Sequence, residues 1–164
     1  MDWSNFCLPM WEPLQRYSAL PSEARKLFCR ASLLGPLIRV SLRFRGYNKT
    51  RQWLQGKLDR LTVPALALPE VSDRLDVTCR MVRAAEHYLP VRVSCLEESL
   101  VLWYLLQTQG IAAAIRIGVR KPAGTFEAHA WVEQDGIALN QTDEQHRHYH
   151  PFDHEGPSMP TDQP

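Results

Sequence analysis

Apolar positions recur at helical spacing through the first half of the chain and alternate in the second. Pro21-Ser22-Glu23 can open a helix with Ser22 as its cap, and Ala24, Leu27, Phe28, Ala31 and Leu34 follow at three- and four-residue intervals. Gly35-Pro36 reads as an interruption, after which residues 37–44 resume with arginines set between apolar positions. Gly46-Tyr47-Asn48 reads as a break, residues 51–61 as a short helix, and residues 63–69 as a proline-bounded linker. Leu75, Val77, Val82, Ala85 and Tyr88 predict an amphipathic helix over residues 73–88 that ends before Pro90. Residues 1–20, with Trp3, Pro9, Trp11 and Pro13, are expected to form an irregular arm, and residues 155–164 a disordered tail.

The second half is more informative. Ser94-Cys95-Leu96-Glu97 fits a capping box, with Ser94 as cap and Glu97 folding back onto its amide. The run from Leu100 to Leu106 is apolar on every side, so this helix is expected to be central and buried, with Gly110 placed to end it. Ile111, Ala113, Ile115, Ile117 and Val119 then alternate as a strand, Lys121-Pro122-Ala123-Gly124 makes a turn, and residues 126–133 alternate again. Asp135-Gly136 is a two-residue hairpin signal that returns the chain into residues 137–140. A helix followed by an antiparallel three-stranded meander predicts an α+β fold.

Charge divides the chain in a way its near-neutral total conceals. Residues 16–60 hold 11 Lys/Arg against Glu23 and Asp59, whereas residues 61–164 hold 8 against 14 acids. The basic front is expected to dock a partner; it has no nucleic-acid fold signature, so nucleic acid is not the expected one. The most apolar stretch, residues 33–44, is interrupted by Pro36, Arg39 and Arg43 and is too short to span a bilayer, so it reads as a core or interfacial helix. Asp2 and Trp3 do not open a secretory signal, so the expectation is a cytoplasmic protein with reduced thiols. Cys7, Cys29, Cys79 and Cys95 form no C-x-x-C pair, and each is therefore either a small buried residue or a nucleophile. The histidine run His146, His148, His150 and His154 lacks the companions of a familiar zinc site, so no metal is expected and an exposed terminal strand is the simpler reading.

Cys95 is the candidate nucleophile. As the first residue of a capped helix it meets unpaired amides and the positive end of the helix dipole, which favour a thiolate. A small buried cysteine would fit there too. His129 is the candidate base: strand parity puts it on one face with Glu127, Trp131 and Glu133. If Asp135-Gly136 is the loop, Val132 opposes Leu139, Trp131 opposes Asn140 and His129 opposes Thr142. His129, Trp131, Asn140 and Thr142 then share a patch. Asn140 is diagonal to His129, roughly 7–8 Å away, and parity selects it to orient the imidazole; Asp143 reaches the patch only if the strand has already ended. A buried histidine satisfied by a neighbour is the alternative.

Cys95 opening an apolar helix, Gly110-Ile111, Ile117-Gly118-Val119-Arg120 and Ala128-His129-Ala130-Trp131-Val132-Glu133 together resemble the transglutaminase-like cysteine-protease core. More narrowly they resemble the lasso-peptide leader peptidases, the stand-alone form of the maturation B protein. The likeness runs over about residues 20–154 and includes the arginine-rich helical front. It implies a papain-like Cys–His–Asp/Asn unit on one domain, residues 21–154, with a helical basic part (21–90) and a catalytic core (91–154). Cys95 and His129 match the motif directly; the third position departs from the usual aspartate, leaving Asn140 or Asp143.

In that chemistry the Cys95 thiolate attacks a peptide carbonyl, the Cys95 backbone amide holds the oxyanion, and His129 protonates the leaving amine. No cofactor is needed. The resemblance further implies a ribosomal precursor peptide cut between leader and core, a separate leader-recognition protein (a RiPP recognition element) and an ATP-dependent lasso cyclase. The chain is expected to have no room for its own recognition domain. Peripheral membrane association is a further option for the basic front. The rival expectations are a transglutaminase-like acyltransferase or deamidase, and a non-catalytic maturation scaffold.

Overall fold

The basic front folds mainly into one long helix, α1 (Ser22–Leu58). Its core-facing residues Ala24, Leu27, Ala31, Ile38 and Leu54 are buried. The computed structural model describes residues 19–62, 68–88, 92–120, 127–140 and 150–151. The expected arm (residues 1–20) lies almost wholly outside them, as do the tail and most of the linker.

Ser22 turns out not to be the cap. It is the first helical residue, preceded by Pro21 in an extended conformation with no side-chain cap bond. Nor does Gly35-Pro36 interrupt α1: Pro36 lies inside the helix on its exposed side. Proline's fixed φ suits a helix, and at that surface water can take the place of the bond its missing N–H forgoes.

The break falls at Gly46, whose φ of 73° and ψ of 176° lie in a region essentially reserved for glycine. A β-carbon there would meet nothing within 4 Å, so backbone conformation alone demands the glycine. The kink is fastened by Thr50, fully buried, whose Oγ1 donates to the Gly46 carbonyl at 2.8 Å and lies 2.9 Å from Ser41 Oγ. Gly46→Ala is expected to lower unfolding free energy by about 1–3 kcal/mol, measured by urea denaturation, with the fold retained.

Helix α2 (Leu68–Tyr88) starts earlier than the apolar periodicity indicates, because Pro69 falls in its first turn, where no N–H is needed. It ends at Tyr88, ahead of Pro90 as expected. Helix α3 (Cys95–Gln107) occupies the middle of the molecule and packs against α1, α2 and the sheet. Leu100, Leu102, Leu105 and Leu106 are fully buried with Ile38, Leu54, Val82 and Val132. Each such side chain contributes roughly 1.5–3 kcal/mol of burial.

Strands β1 (Ala114–Arg120), β2 (Glu127–Gln134), β3 (Ile137–Ala138) and β4 (His150–Pro151) form an antiparallel sheet in the order β3-β2-β1-β4. Asp135 and Gly136 both take positive φ, 49° and 81°, as a tight hairpin requires. Gln134 pairs with Ile137, Glu133 with Ala138, and the Leu139 amide reaches the Val132 carbonyl at 2.9 Å, which is the expected register. The meander was legible, and the terminal strand expected at the histidine run is β4, which pairs with the far edge of β1. The fold is α+β, with a helical front and a central helix on a small antiparallel sheet.

Candidate active site

The α3 N-terminus is built by the capping box the sequence spells. Ser94 N donates to Glu97 Oε2 at 2.9 Å, and Glu97 N donates to Ser94 Oγ at 3.3 Å. Cys95 is thereby fixed as the first helical residue, half-buried, with its amide facing the approach to the helix rather than an intrahelical carbonyl. Glu97 has a second partner. Arg39, from the middle of α1, grips it with two bonds, Nε to Oε1 and Nη2 to Oε2, both 2.9 Å, and also donates to the Arg92 carbonyl. Burial works to raise the Glu97 pKa, but the bonds from Arg39 and Ser94 outweigh it and hold the carboxyl below its ordinary value. Arg39 thus neutralises an anion two residues from the thiol and ties the segment leading into α3 to α1. The sequence placed Arg39 in a docking surface; it serves here as a fastening of the site. Its spacing within α1 gives no sign of this.

His129 lies on β2, against which α3 packs. Its ring stacks on Trp131, with centroids 6.3 Å apart and planes 12° from parallel, so the two share a face as parity requires. Directly opposite on β1 is Gly118, which puts no side chain over the imidazole; Arg116 opposes Trp131. Val132 and Ile115, on the alternate face, join the core. His129 therefore lies on the sheet face opposite the one that packs on α3, and the expected Cys95–His129 hydrogen bond is not made: the Cys95 thiol bonds no described residue. Burial, and then the charge of Arg120, push the His129 pKa below its ordinary value. Arg120, diagonal to His129, is held by Glu127 through Nε at 2.7 Å and Nη2 at 2.6 Å. A neutral imidazole is the form that accepts a proton.

Asn140 is bonded to backbone and helix. Its Oδ1 accepts from the Val132 amide at 2.9 Å, taking over the sheet ladder where β3 has ended, and its Nδ2 donates to Ser99 Oγ at 3.3 Å. Ser99 is fully buried, one helical turn beyond Cys95. Among the described residues the amide thus links the end of the hairpin to α3, and the expected contact with the His129 imidazole is not made, because β3 ends at Ala138 and the amide turns to Val132 and α3 instead. Asp143 lies outside the described residues. Ser99 was not singled out in the sequence, though its i+4 spacing from Cys95 marks it as a neighbour on the same helix face.

A model of the transglutaminase-like superfamily matches residues 38–153, well over half of the chain. The chain belongs to that superfamily. No curated protein and no solved structure matches it. The match begins inside α1 at Ile38 and takes in α2, the cysteine helix and the sheet, so the second half of the basic front, with Arg39, is part of the domain.

Two further carboxyls crowd this transglutaminase-like core between α2 and α3. Burial, followed by the charge of Glu98, pushes Glu86 up to about 8, with Arg83 only partly offsetting it. Glu98 is raised as well, chiefly by burial and against the pull of Arg83 and a bond from Asn140. Burial drives Cys79 up to about 11, which keeps it protonated, whereas Cys29 is exposed and is not the small buried residue expected by default. Cys7 lies outside the described residues.

A cleft of about 520 Å³ lies between Glu23, Leu27 and Arg30 of α1, Asp73 and Val77 of α2, and Gln109. Gln109 follows the C-terminal end of α3, roughly 20 Å of helix away from Cys95, so this cleft is separate from the cysteine site. Among the described residues no group of three or more His, Cys, Asp or Glu side chains could hold a metal ion, and no helix is long and apolar enough to cross a membrane. His146, His148 and His154 lie outside the described residues.

Proposed function

We propose that this chain is a cysteine peptidase that removes the leader from a ribosomal precursor peptide, in the manner of the lasso-peptide leader peptidases it resembles. The observation that carries the reading is Cys95 as first residue of a boxed helix N-terminus, on a helix packed against the strand of His129. Membership of the transglutaminase-like superfamily supports it, since that fold serves cysteine peptidases and acyltransferases alike.

In the proposed cycle neutral His129 takes the Cys95 proton, and the thiolate attacks the carbonyl joining leader and core. The Cys95 amide, which has no intrahelical acceptor, stabilises the oxyanion. His129 returns the proton to the leaving amine, and the acyl-enzyme is hydrolysed by a water that His129 activates. The freed amine is then available to a separate ATP-dependent cyclase, and that hand-off favours hydrolysis over amide cross-linking. A separate recognition protein presents the leader. Both partners, and a cytoplasmic setting in which the thiols stay reduced, belong to the proposal.

Mass spectrometry of precursor incubated with this protein and the recognition protein tests the reading. A leader fragment is the expected product; a deamidated glutamine or a cross-link would instead assign acyltransferase chemistry, and unchanged precursor a scaffold. The third member of the unit is tested separately. Asn140→Ala is expected to slow cleavage by about 10²-fold or more, because it frees the hairpin end from Ser99 and loosens the β2 segment that carries His129. Asp143→Ala, assayed alongside, is expected to be near wild type; the reverse pattern would give the orienting role to Asp143.

A further inference from the structure

Helix α1 has a second apolar face. Its inner side packs into the core through Ala31, Ile38 and Leu54, yet Leu33, Leu37, Val40 and Phe44 on the outer side are 69%, 56%, 55% and 83% exposed. Their intervals of four, three and four residues are those of a heptad seam. At about 100° per residue the four fall within an arc of about 60°, in a stripe about 16 Å long that stops two residues short of the Gly46 kink.

We infer that this stripe docks an amphipathic helix of a partner protein whose apolar seam is bordered by Asp and Glu. Width is the first argument. A helix lying in a bilayer surface presents a broad apolar face, whereas a seam one or two side chains wide fits a single facing helix. Polar positions close in at once here: toward the N-terminus the spacing runs out at Arg30, whose guanidinium turns aside to Thr108 Oγ1 at 3.1 Å, and exposed Arg43, three residues beyond Val40, lies beside the stripe. Charge is the second. Helix α1 carries nine Lys/Arg against the single acid Glu23. Several of these have internal work, Arg39 on Glu97 and Arg51 over the Trp103 ring at 5.9 Å, but exposed Arg43 borders the seam. Two copies of so cationic a helix repel when aligned, which disfavours self-pairing, while an acidic helix gains the seam and the flanking charges together. The inference does not depend on the peptidase reading, because it concerns a surface on the side of α1 turned away from the core.

The test uses the full chain and a labelled three-heptad peptide with leucine at the seam positions and glutamate beside them, followed by fluorescence anisotropy. A lysine-flanked version of the peptide and vesicles of phosphatidylcholine and phosphatidylglycerol in equal parts serve as rival probes. The expected result is binding of the glutamate peptide that weakens with added salt, with about tenfold or greater loss in Leu37→Glu and in Phe44→Glu. Both positions are exposed, so circular dichroism should be unchanged. Arg43→Glu should move the preference toward the lysine peptide. Equal binding of the two peptides, or none, overturns the inference. Vesicle binding lost in Phe44→Glu without peptide binding would assign the stripe to a membrane, and concentration-dependent dimerisation lost in that variant would assign it to a second copy; either result overturns it too.

Discussion

Cys95→Ala is expected to abolish leader release, leaving intact precursor where the wild-type protein yields a leader fragment. The loss should be about 10⁴-fold or more, because removal of the nucleophile leaves only binding and oxyanion stabilisation. His129→Ala should cost a similar amount, and the double variant little more than either single one, since thiol and imidazole act as one unit. All three are read by mass spectrometry of precursor with the recognition protein, and normal cleavage by either single variant would overturn the mechanism. A pH profile adds a check that a merely structural role would not pass. Burial and the Arg120 charge hold His129 below its ordinary pKa, so the imidazole stays neutral to lower pH than a free histidine. The acidic limb of the rate should therefore lie below the usual histidine range. Arg120→Gln removes the nearby positive charge and should move that limb upward.

Glu86→Gln is expected to stabilise the protein above neutral pH and to flatten its pH dependence. Burial, then Glu98, raise the Glu86 carboxyl from 4.5 to about 8. The folded state consequently keeps a proton that the unfolded chain releases, and its contribution is fully present below pH 4.5 and is lost as pH rises through about 8. Glutamine resembles the protonated form and has no proton to lose. The thermal midpoints of variant and wild type should coincide at low pH and diverge as pH rises. Because Glu86 is only partly buried, solvent screening limits the gain to about 1–2 kcal/mol, or a few degrees in Tm. Parallel midpoint curves across the range would show that Glu86 does not carry the dependence.

These two sites differ in how far the sequence exposes them. The α3 start was legible because a capping box is a contact among four consecutive residues. The hairpin was legible for a similar reason: Asp135 and Gly136 are suited to positive φ, and once the loop is fixed the register of Val132 and Leu139 follows. Strand parity then put His129 beside Trp131. Gly46 also declared itself as a break, while Gly35-Pro36 misled, since a proline on the exposed side of a long helix is tolerated when the opposite side is packed. Glu86 gave no such warning, because its shifted proton depends on burial and on Glu98 and Glu97, all supplied by the packing of α2 on α3, which outweigh the local Arg83.

By itself the sequence determined the helix that carries Cys95, the strand face that carries His129, the hairpin between β2 and β3, and the α+β class. All of these rest on period, caps and turn geometry, which act over a few residues. Only the tertiary structure decided that Arg39 holds Glu97 across 58 residues of chain, that Asn140 bonds Val132 and Ser99, and that Leu33, Leu37, Val40 and Phe44 are left outside the core. A charge–charge contact or a buried face depends on where distant elements come to rest, and that is set by how the whole core packs around α3.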